Sequence, residues 1–380
     1  MKYFFIGLSL ILLTSCRKNS KITFTGTTPG IKSGTFVIKT LRDSTLYGVN
    51  IKDEKFQVSG ILPHEGYYIM DVVDDANKST HDKHFDVYLE GGDYTIQTTA
   101  GKPFNYPKIT SSAKIQNDLS AYYALVDQQS ADATVETAQV NAELDKVNHR
   151  THTTEEFNSK INRLSELHEK EVNAQFDALK IFVKQNPQST ISAYLMSKLD
   201  YEDKPADYLA VYNQFSAEAK NSEDGKEIGT KLSHLVKLLP GAQSPDILGK
   251  TIDGKPFDKA SIKKKVILVE FWRASDQISR LDHPIMINML QTDFKGKDGF
   301  GIVSVDFDAK SDWWTTAVRD DKMTWTQVSD LKGDDSPNAT NWAISKIPTY
   351  YLVDGDWKII DRDVQLSEVP LLADKYLNKN

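Results

Sequence analysis

Cysteine is the side chain to begin from, because the chain has one, Cys16. Thiol–disulfide exchange needs a thiolate to attack a disulfide sulfur, and a second thiol to resolve the mixed disulfide. One Cys in the N-terminal segment cannot supply both. Histidines come next. His81 and His84 sit in a polar patch from Asp71 to Asp86, and His149-x-x-His152 sits between two helical patterns. A zinc site would want further ligands and a regular element to fix them. Neither pair has these, and both read as solvated loop. His168 falls on an apolar helical stripe and reads as a packed or partly exposed side chain. No metal and no cofactor is expected. Three more polar positions remain: Glu270 within an apolar run, and Asp276 with Ser279 three residues apart just after it. Ser275 or Asp276 could cap a helix there. Catalytic use of Asp276 would need a partner, and His283 lies two turns along the same helix.

Lys2 precedes an apolar run from Tyr3 to Leu13, which ends in Leu13-Thr14-Ser15-Cys16. The run is too short to span a bilayer and has the layout of a secretory signal. Leu-Thr-Ser-Cys resembles the lipobox of bacterial lipoproteins. That resemblance implies a diacylglyceryl group on the Cys16 thiol, cleavage before it and acylation of the new N-terminus. Two or three acyl chains exceed what stable anchoring requires. The expected partner is then membrane lipid through Cys16, and the mature chain would hold no free thiol. The expected place is the cell envelope, on a periplasm-facing membrane, the outer rather than the inner. Arg17 to Ser20 is a short polar tether with no acidic run.

Elements must position whatever the chain does. With 39% hydrophobic and 26% charged residues in 380, the composition is that of a soluble globular protein of two or three domains. A net charge of -7 gives no electrostatic reason to bind a phosphate backbone, so nucleic acid is excluded as a partner. From Ile22 to Thr99 the period is two: Ile22 and Phe24, Phe36 and Ile38, Phe56 and Val58, Phe85, Val87 and Leu89, then Tyr94 and Ile96 after Gly91-Gly92-Asp93. Short alternating runs between turn residues predict an antiparallel β-sandwich. From Ser111 to Leu239 the period becomes helical. Phe157, Ile161, Leu164, His168, Val172, Phe176, Leu179 and Val183 form one stripe, opened by a capping box of Thr153 with Glu156 and stopped at Asn186-Pro187. Further helices are expected near 112–147, 189–199, 205–219 and 223–238. After Pro240-Gly241, strands and helices alternate. Val266 to Trp272 reads as a strand buried on both faces. A helix to about Phe294, strand 301–306, helix 311–321, a hairpin of 350–354 with 358–362, and helix 368–377 complete a small α/β domain.

This last region, from about Pro240 to the C-terminus, resembles the thioredoxin superfamily, in particular the membrane-anchored periplasmic thiol–disulfide oxidoreductases and the thiol-specific antioxidant group. Five segments carry the resemblance. They are Gly241-Ala242-Gln243-Ser244-Pro245-Asp246, Val269-Glu270-Phe271-Trp272, Pro284 in the first helix, Lys346-Ile347-Pro348-Thr349 and Asp354-Gly355-Asp356-Trp357-Lys358-Ile359. It implies a thioredoxin-like fold with a cis bond before Pro348. The family's Ala-x-Trp-Cys-x-x-Cys-Arg reads here Arg273-Ala274-Ser275-Asp276-Gln277-Ile278-Ser279-Arg280. Asp276 stands at the nucleophile position, Ser279 at the resolving position, and Glu270 at the proton-relay position. Neither a carboxylate nor a hydroxyl forms a mixed disulfide, so the reaction is lost. Glu270 is expected buried, either without an adjacent cation or paired with a Lys. The old substrate groove would run along Ser275, Gln277, Ile278, Ile347 and Pro348.

The first region resembles a β-rich domain of unknown function that precedes such domains in envelope lipoproteins, through Asp43-Ser44, Asp53-Glu54-Lys55-Phe56 and Leu89-Glu90-Gly91-Gly92. The expected organisation is signal peptide 1–15, lipidated Cys and tether 16–20, β-sandwich 21–110, helical region 111–239 and thioredoxin-like domain 240–380. The expected function is that of a redox-inactive accessory module binding a peptide or envelope protein, without catalytic residues. The alternative is a redoxin acting through a partner's thiols.

Overall fold

The computed structural model describes residues 20–77, 84–102, 104–144 and 154–378. Cys16, the signal segment, His81, His149, His152 and Thr153 lie outside them. The chain divides into two compact units. One holds the chain up to Leu199 with Gln214–Asn221, and the other Asp200–Asn213 with the chain from Ser222 onward.

Eight strands build the first unit: β1 (Ser20–Thr27), β2 (Ser33–Lys39), β3 (Thr45–Lys52), β4 (Lys55–Leu62), β5 (Gly66–Asp74), β6 (Phe85–Leu89), β7 (Gly92–Gln97) and β8 (Lys108–Thr110). They form one sheet in the order β6-β5-β2-β3-β4-β1-β7-β8. The expected antiparallel β-sandwich is corrected in two respects: the eight strands are hydrogen-bonded into a single sheet, and β1 runs parallel to β7, Ile22 opposite Gly92 through Thr27 opposite Gln97. Alternation does what the period-two reading required: Ile22, Phe24, Phe36, Ile38, Phe56, Val87, Tyr94 and Ile96 share one core. The rings of Phe36 and Phe56 stack at 4.1 Å although β3 lies between their strands. Each such side chain contributes roughly 1.5–3 kcal/mol by burial.

Two long helices follow, α1 (Lys114–Leu144) and α2 (Thr154–Gln185), then α3 (Ser192–Ser197). Gln116 of α1 grips the sheet, accepting from the Tyr88 N–H at 2.8 Å and donating to the Tyr106 hydroxyl at 3.0 Å. In α2 the expected stripe is buried only towards its end. Leu167, Ala174, Ala178, Leu179, Phe182 and Val183 are inside, whereas Phe157, Ile161 and His168 are exposed. The small Ala174 and Ala178 define the packed face, which a reading weighted to large apolar residues rotates.

The second unit adds α4 (Pro205–Tyr212) and α6 (Glu223–Leu235), while α5 (Ala217–Asn221) belongs to the first. Its sheet comprises β9 (Lys250–Thr251), β10 (Val266–Trp272), β11 (Phe300–Asp306), β12 (Thr326–Ser329), β13 (Thr349–Asp354) and β14 (Ile359–Arg362), in the order β14-β13-β10-β11-β12-β9. β10, β11 and β12 run parallel, and β13 and β14 are antiparallel additions. Helices α7 (Gln277–Gln291), α8 (Ser311–Asp320), α9 (Pro337–Asn341) and α10 (Val369–Leu377) complete it. The central strand is buried at every residue. Ile267, Val269 and Phe271 point into one core with Trp342 and Tyr351. Val266 and Leu268 point into another with Met286 and Met289 of α7. Strand periodicity therefore puts Glu270 on the α7 side. The sheet is the mixed α/β arrangement expected from the sequence. No described helix is long and apolar enough to cross a membrane.

Candidate functional site

Asp276 and Ser279 meet at the start of α7. Asp276 is its N-cap, and its Oδ1 accepts both the Ser279 N–H at 2.7 Å and the Ser279 hydroxyl at 2.8 Å. An aspartate suits that position because free N–H groups and the helix dipole favour negative charge. Ser275 is exposed and takes no part in the cap. Ser279 is fully buried.

Beneath this cap lies a network the sequence reading missed. Glu270 is fully buried, and its partner is neither absent nor a lysine. It is His283, whose Nε2 stands 3.3 Å from Glu270 Oε1 as a charge contact rather than an aligned hydrogen bond. The other ring nitrogen, Nδ1, meets Asp321 Oδ2 at 2.6 Å. Asp321 also takes Arg280, with Nη2 at 2.5 Å from Oδ1 and Nε on Oδ2. Ser304 donates its hydroxyl to Glu270 Oε2 and accepts the Trp325 indole N–H at 2.7 Å. The Trp272 ring stands edge-on to His283 at 4.7 Å. Burial alone would push His283 down, but Glu270 and then Asp321 more than reverse it, so the imidazole is held above its ordinary value. Asp321, pushed up by burial, is nonetheless lowered by Arg280 and His283. The imidazole thus lies between the carboxyl groups of Glu270 and Asp321. The signal available in the sequence was spacing: His283 sits four residues after Ser279, on the helix face turned towards β10.

A second buried acid pair lies at the end of β11. Asp306 is fully buried and Asp308 nearly so. Burial, and then the neighbouring Asp308, push the Asp306 carboxyl up to about 9. Ser329 donates to Asp306 Oδ2 at 2.9 Å, and the Asp308 N–H does so at 3.1 Å. Asp308 Oδ2 accepts the Ala274 N–H at 2.7 Å. Arg273 reaches the Phe307 carbonyl at 3.2 Å and Asp334 at 2.5 Å. The loop that leads into α7 is therefore pinned by these contacts.

The expected groove residues divide. Phe271 pairs with Thr349 across β10 and β13, which sets Pro348 beside the end of β10. The bond before Pro348 is cis. Ile347 and Pro348 are half-buried, and Ser275 and Gln277 are exposed. Ile278 is 59% exposed and begins a stripe with Leu281 at 62% and Ile285 at 50%. Spacings of three and four residues place these on one side of α7. His84 contacts Asp71 at 2.7 Å, beside Lys39 at 2.9 Å, and no cluster of three metal-binding side chains occurs among the described residues.

The Ser279 hydroxyl is buried and donates to Asp276, and both His283 nitrogens face carboxylates, so neither can activate it.

No family model and no curated protein matches the chain. Solved structures do. A thiol:disulfide interchange protein from Bacteroides sp. is 29% identical over 38% of this chain and 93% of that one, with a TM-score of 0.34. The thioredoxin domain of a thiol-disulfide oxidoreductase from Bacteroides vulgatus is 27% identical over 37% of this chain and 99% of that one, also at 0.34. A thiol-disulfide oxidoreductase from Bacteroides fragilis is 22% identical over 35% and 96%, at 0.32.

Proposed function

We propose that this chain is a redox-inactive envelope lipoprotein, anchored through Cys16, whose thioredoxin-like unit binds an extended segment of a partner protein. The observation that carries the reading is the cap. The two side chains at the motif positions are hydrogen-bonded to each other, with Asp276 Oδ1 taking both donors of Ser279. Chemistry through borrowed thiols finds no acceptor there. What the helix offers instead is apolar surface, in Ile278, Leu281 and Ile285. An extended segment could lay main-chain hydrogen bonds beside Ile347 and apolar side chains on that stripe, and neither contact needs a sulfur.

The test is a photocrosslinker placed at Gln277 in cells, with the captured protein identified by mass spectrometry. Ser275→Trp with Ile278→Glu should abolish capture of that protein while thermal unfolding stays where it was, because both side chains are exposed. Undiminished capture by the double variant would move the partner site off this helix and defeat the reading.

A further inference from the structure

At the opposite end of β10 from the motif, about 20 Å along the strand, the three residues before Val266 are Lys263, Lys264 and Lys265. With Lys259 they line a cleft of about 470 Å³, whose remaining walls include Ile262 and Trp357. That size lies within the range of small-molecule sites, roughly 300–1,000 Å³. The single carboxylate-bearing wall residue is Asp298, and Lys264 Nζ meets its main-chain oxygen at 2.9 Å rather than its side chain. Lys263, Lys264 and Lys265 form no ion pair among the described residues. The one carboxylate paired with Lys259 among the described residues is Asp246, at 3.5 Å and 87% exposed. A protein of net charge -7 therefore lines one cleft with four lysines, of which Lys259 and Lys264 also donate to Ser244 and to the Asp298 carbonyl. Like charges so placed repel one another, and a cleft with apolar walls focuses their field on whatever enters.

Lysines flanking a hydrophobic strand also guard it against aggregation. That role asks for charge at the strand's start. It does not ask for concavity, nor for a fourth lysine from another element. Lys259 comes from the turn before the lysine run, and the Trp357 indole fixes it, donating to the Lys259 carbonyl at 3.2 Å with Nζ 5.1 Å from its ring. Gly355 completes the frame. A Cβ there would stand 2.7 Å from the Lys264 carbonyl oxygen, so the β13–β14 turn lies against the backbone of the run and holds it.

We propose that this cleft binds a phosphate-bearing small molecule, its phosphate among Lys263, Lys264 and Lys265 and its carbon skeleton against Ile262 and the edge of Trp357. Ammonium groups are point charges with three rotatable donors, suited to a compact anion with several oxygens. A planar carboxylate is matched better by the guanidinium fork, which no wall residue provides. The phosphate could be free or the headgroup of a glycerophospholipid, and both present the same chemistry.

Calorimetric titration of the full chain with inorganic phosphate and, separately, with glycerol phosphate, at constant ionic strength, tests this. Saturable binding tighter than about 1 mM is expected for at least one of them. Tighter glycerol phosphate points to a headgroup, and tighter inorganic phosphate to the free ion. Lys263→Ala with Lys265→Ala should weaken binding about tenfold or more at unchanged thermal unfolding. Should that pair fail to fold, Lys263→Glu alone, at an exposed position, should do the same. Absence of saturable binding by both probes, or binding undiminished in a folded variant, would overturn the proposal.

Discussion

Two buried charge clusters, Glu270 with His283 and Asp306 with Asp308, decide what residue changes will do. Glu270 and His283 are both fully enclosed. Removing one partner of a buried pair leaves the other charge stranded, at a cost of about 3–5 kcal/mol, whereas removing both together can be nearly neutral. His283→Leu should therefore unfold at markedly lower denaturant, and Glu270→Gln should also lose stability. Glu270→Gln with His283→Leu should lose less than the two added. Simple additivity in that cycle would show the pair is uncoupled. The pH dependence has a definite sign. His283 binds its proton more tightly folded than unfolded, so its contribution is whole below about 6.5 and fades as pH rises through its raised folded value. Asp306 acts in the same direction over a wider window. Between its unfolded value of about 3.9 and its folded value of about 9, the folded chain holds a proton the unfolded chain has released, so stability declines with pH. Asp306→Asn keeps a neutral side chain that can accept from Ser329 and donate to Asp308. It should be more stabilising at pH 9 than at pH 5 in urea titrations, and an equal effect at both would deny the raised carboxyl.

At the scale of elements, α7 is where sequence and structure speak most directly to each other. Its start was legible because a capping residue, Asp276, and an interior Pro284 mark it. The cap itself should matter: Asp276→Ala should cost about 1 kcal/mol, and more if the buried Ser279 hydroxyl is left unsatisfied. Melting followed by circular dichroism would measure it, and no loss at all would mean the cap is idle. Legibility ended where partners come from distant sequence. β12 is four residues of unremarkable TQVS, yet it brings Ser329 to Asp306. Asp321 stands just past α8 and reaches α7 only because two parallel strands set those helices side by side. β3 and β5 escaped a period-two reading because β3 buries only Ile51 fully, with Tyr47 and Val49 half-buried against the core, and β5 carries a buried run of three, Met70 to Val72. Parallel pairing of β1 with β7 leaves no local mark at all, since the connection encloses five other strands.

For the whole molecule, the chemistry expected is absence of thiol turnover. The purified chain should reduce no insulin disulfides above buffer, because no cysteine stands at the motif and the side chains that do are bonded to each other. Turnover surviving removal of contaminating thioredoxins would refute this. Anchoring is separable from it. Cys16→Ser should abolish labelling by a palmitate analogue that the unaltered chain incorporates, and an unlabelled parent would exclude the lipid. One feature of the first sheet also has a mechanical meaning. β1 begins at Ser20 and is paired with β4 from Ser20 to Thr27 on one side and with β7 from Ile22 to Thr27 on the other. A pull on the N-terminal end along the strand would load both ladders in shear, many hydrogen bonds together, rather than peel them singly. A chain hung from its N-terminus thus hangs from an inner strand rather than a fraying edge, and tension that would strip an edge strand leaves this one seated.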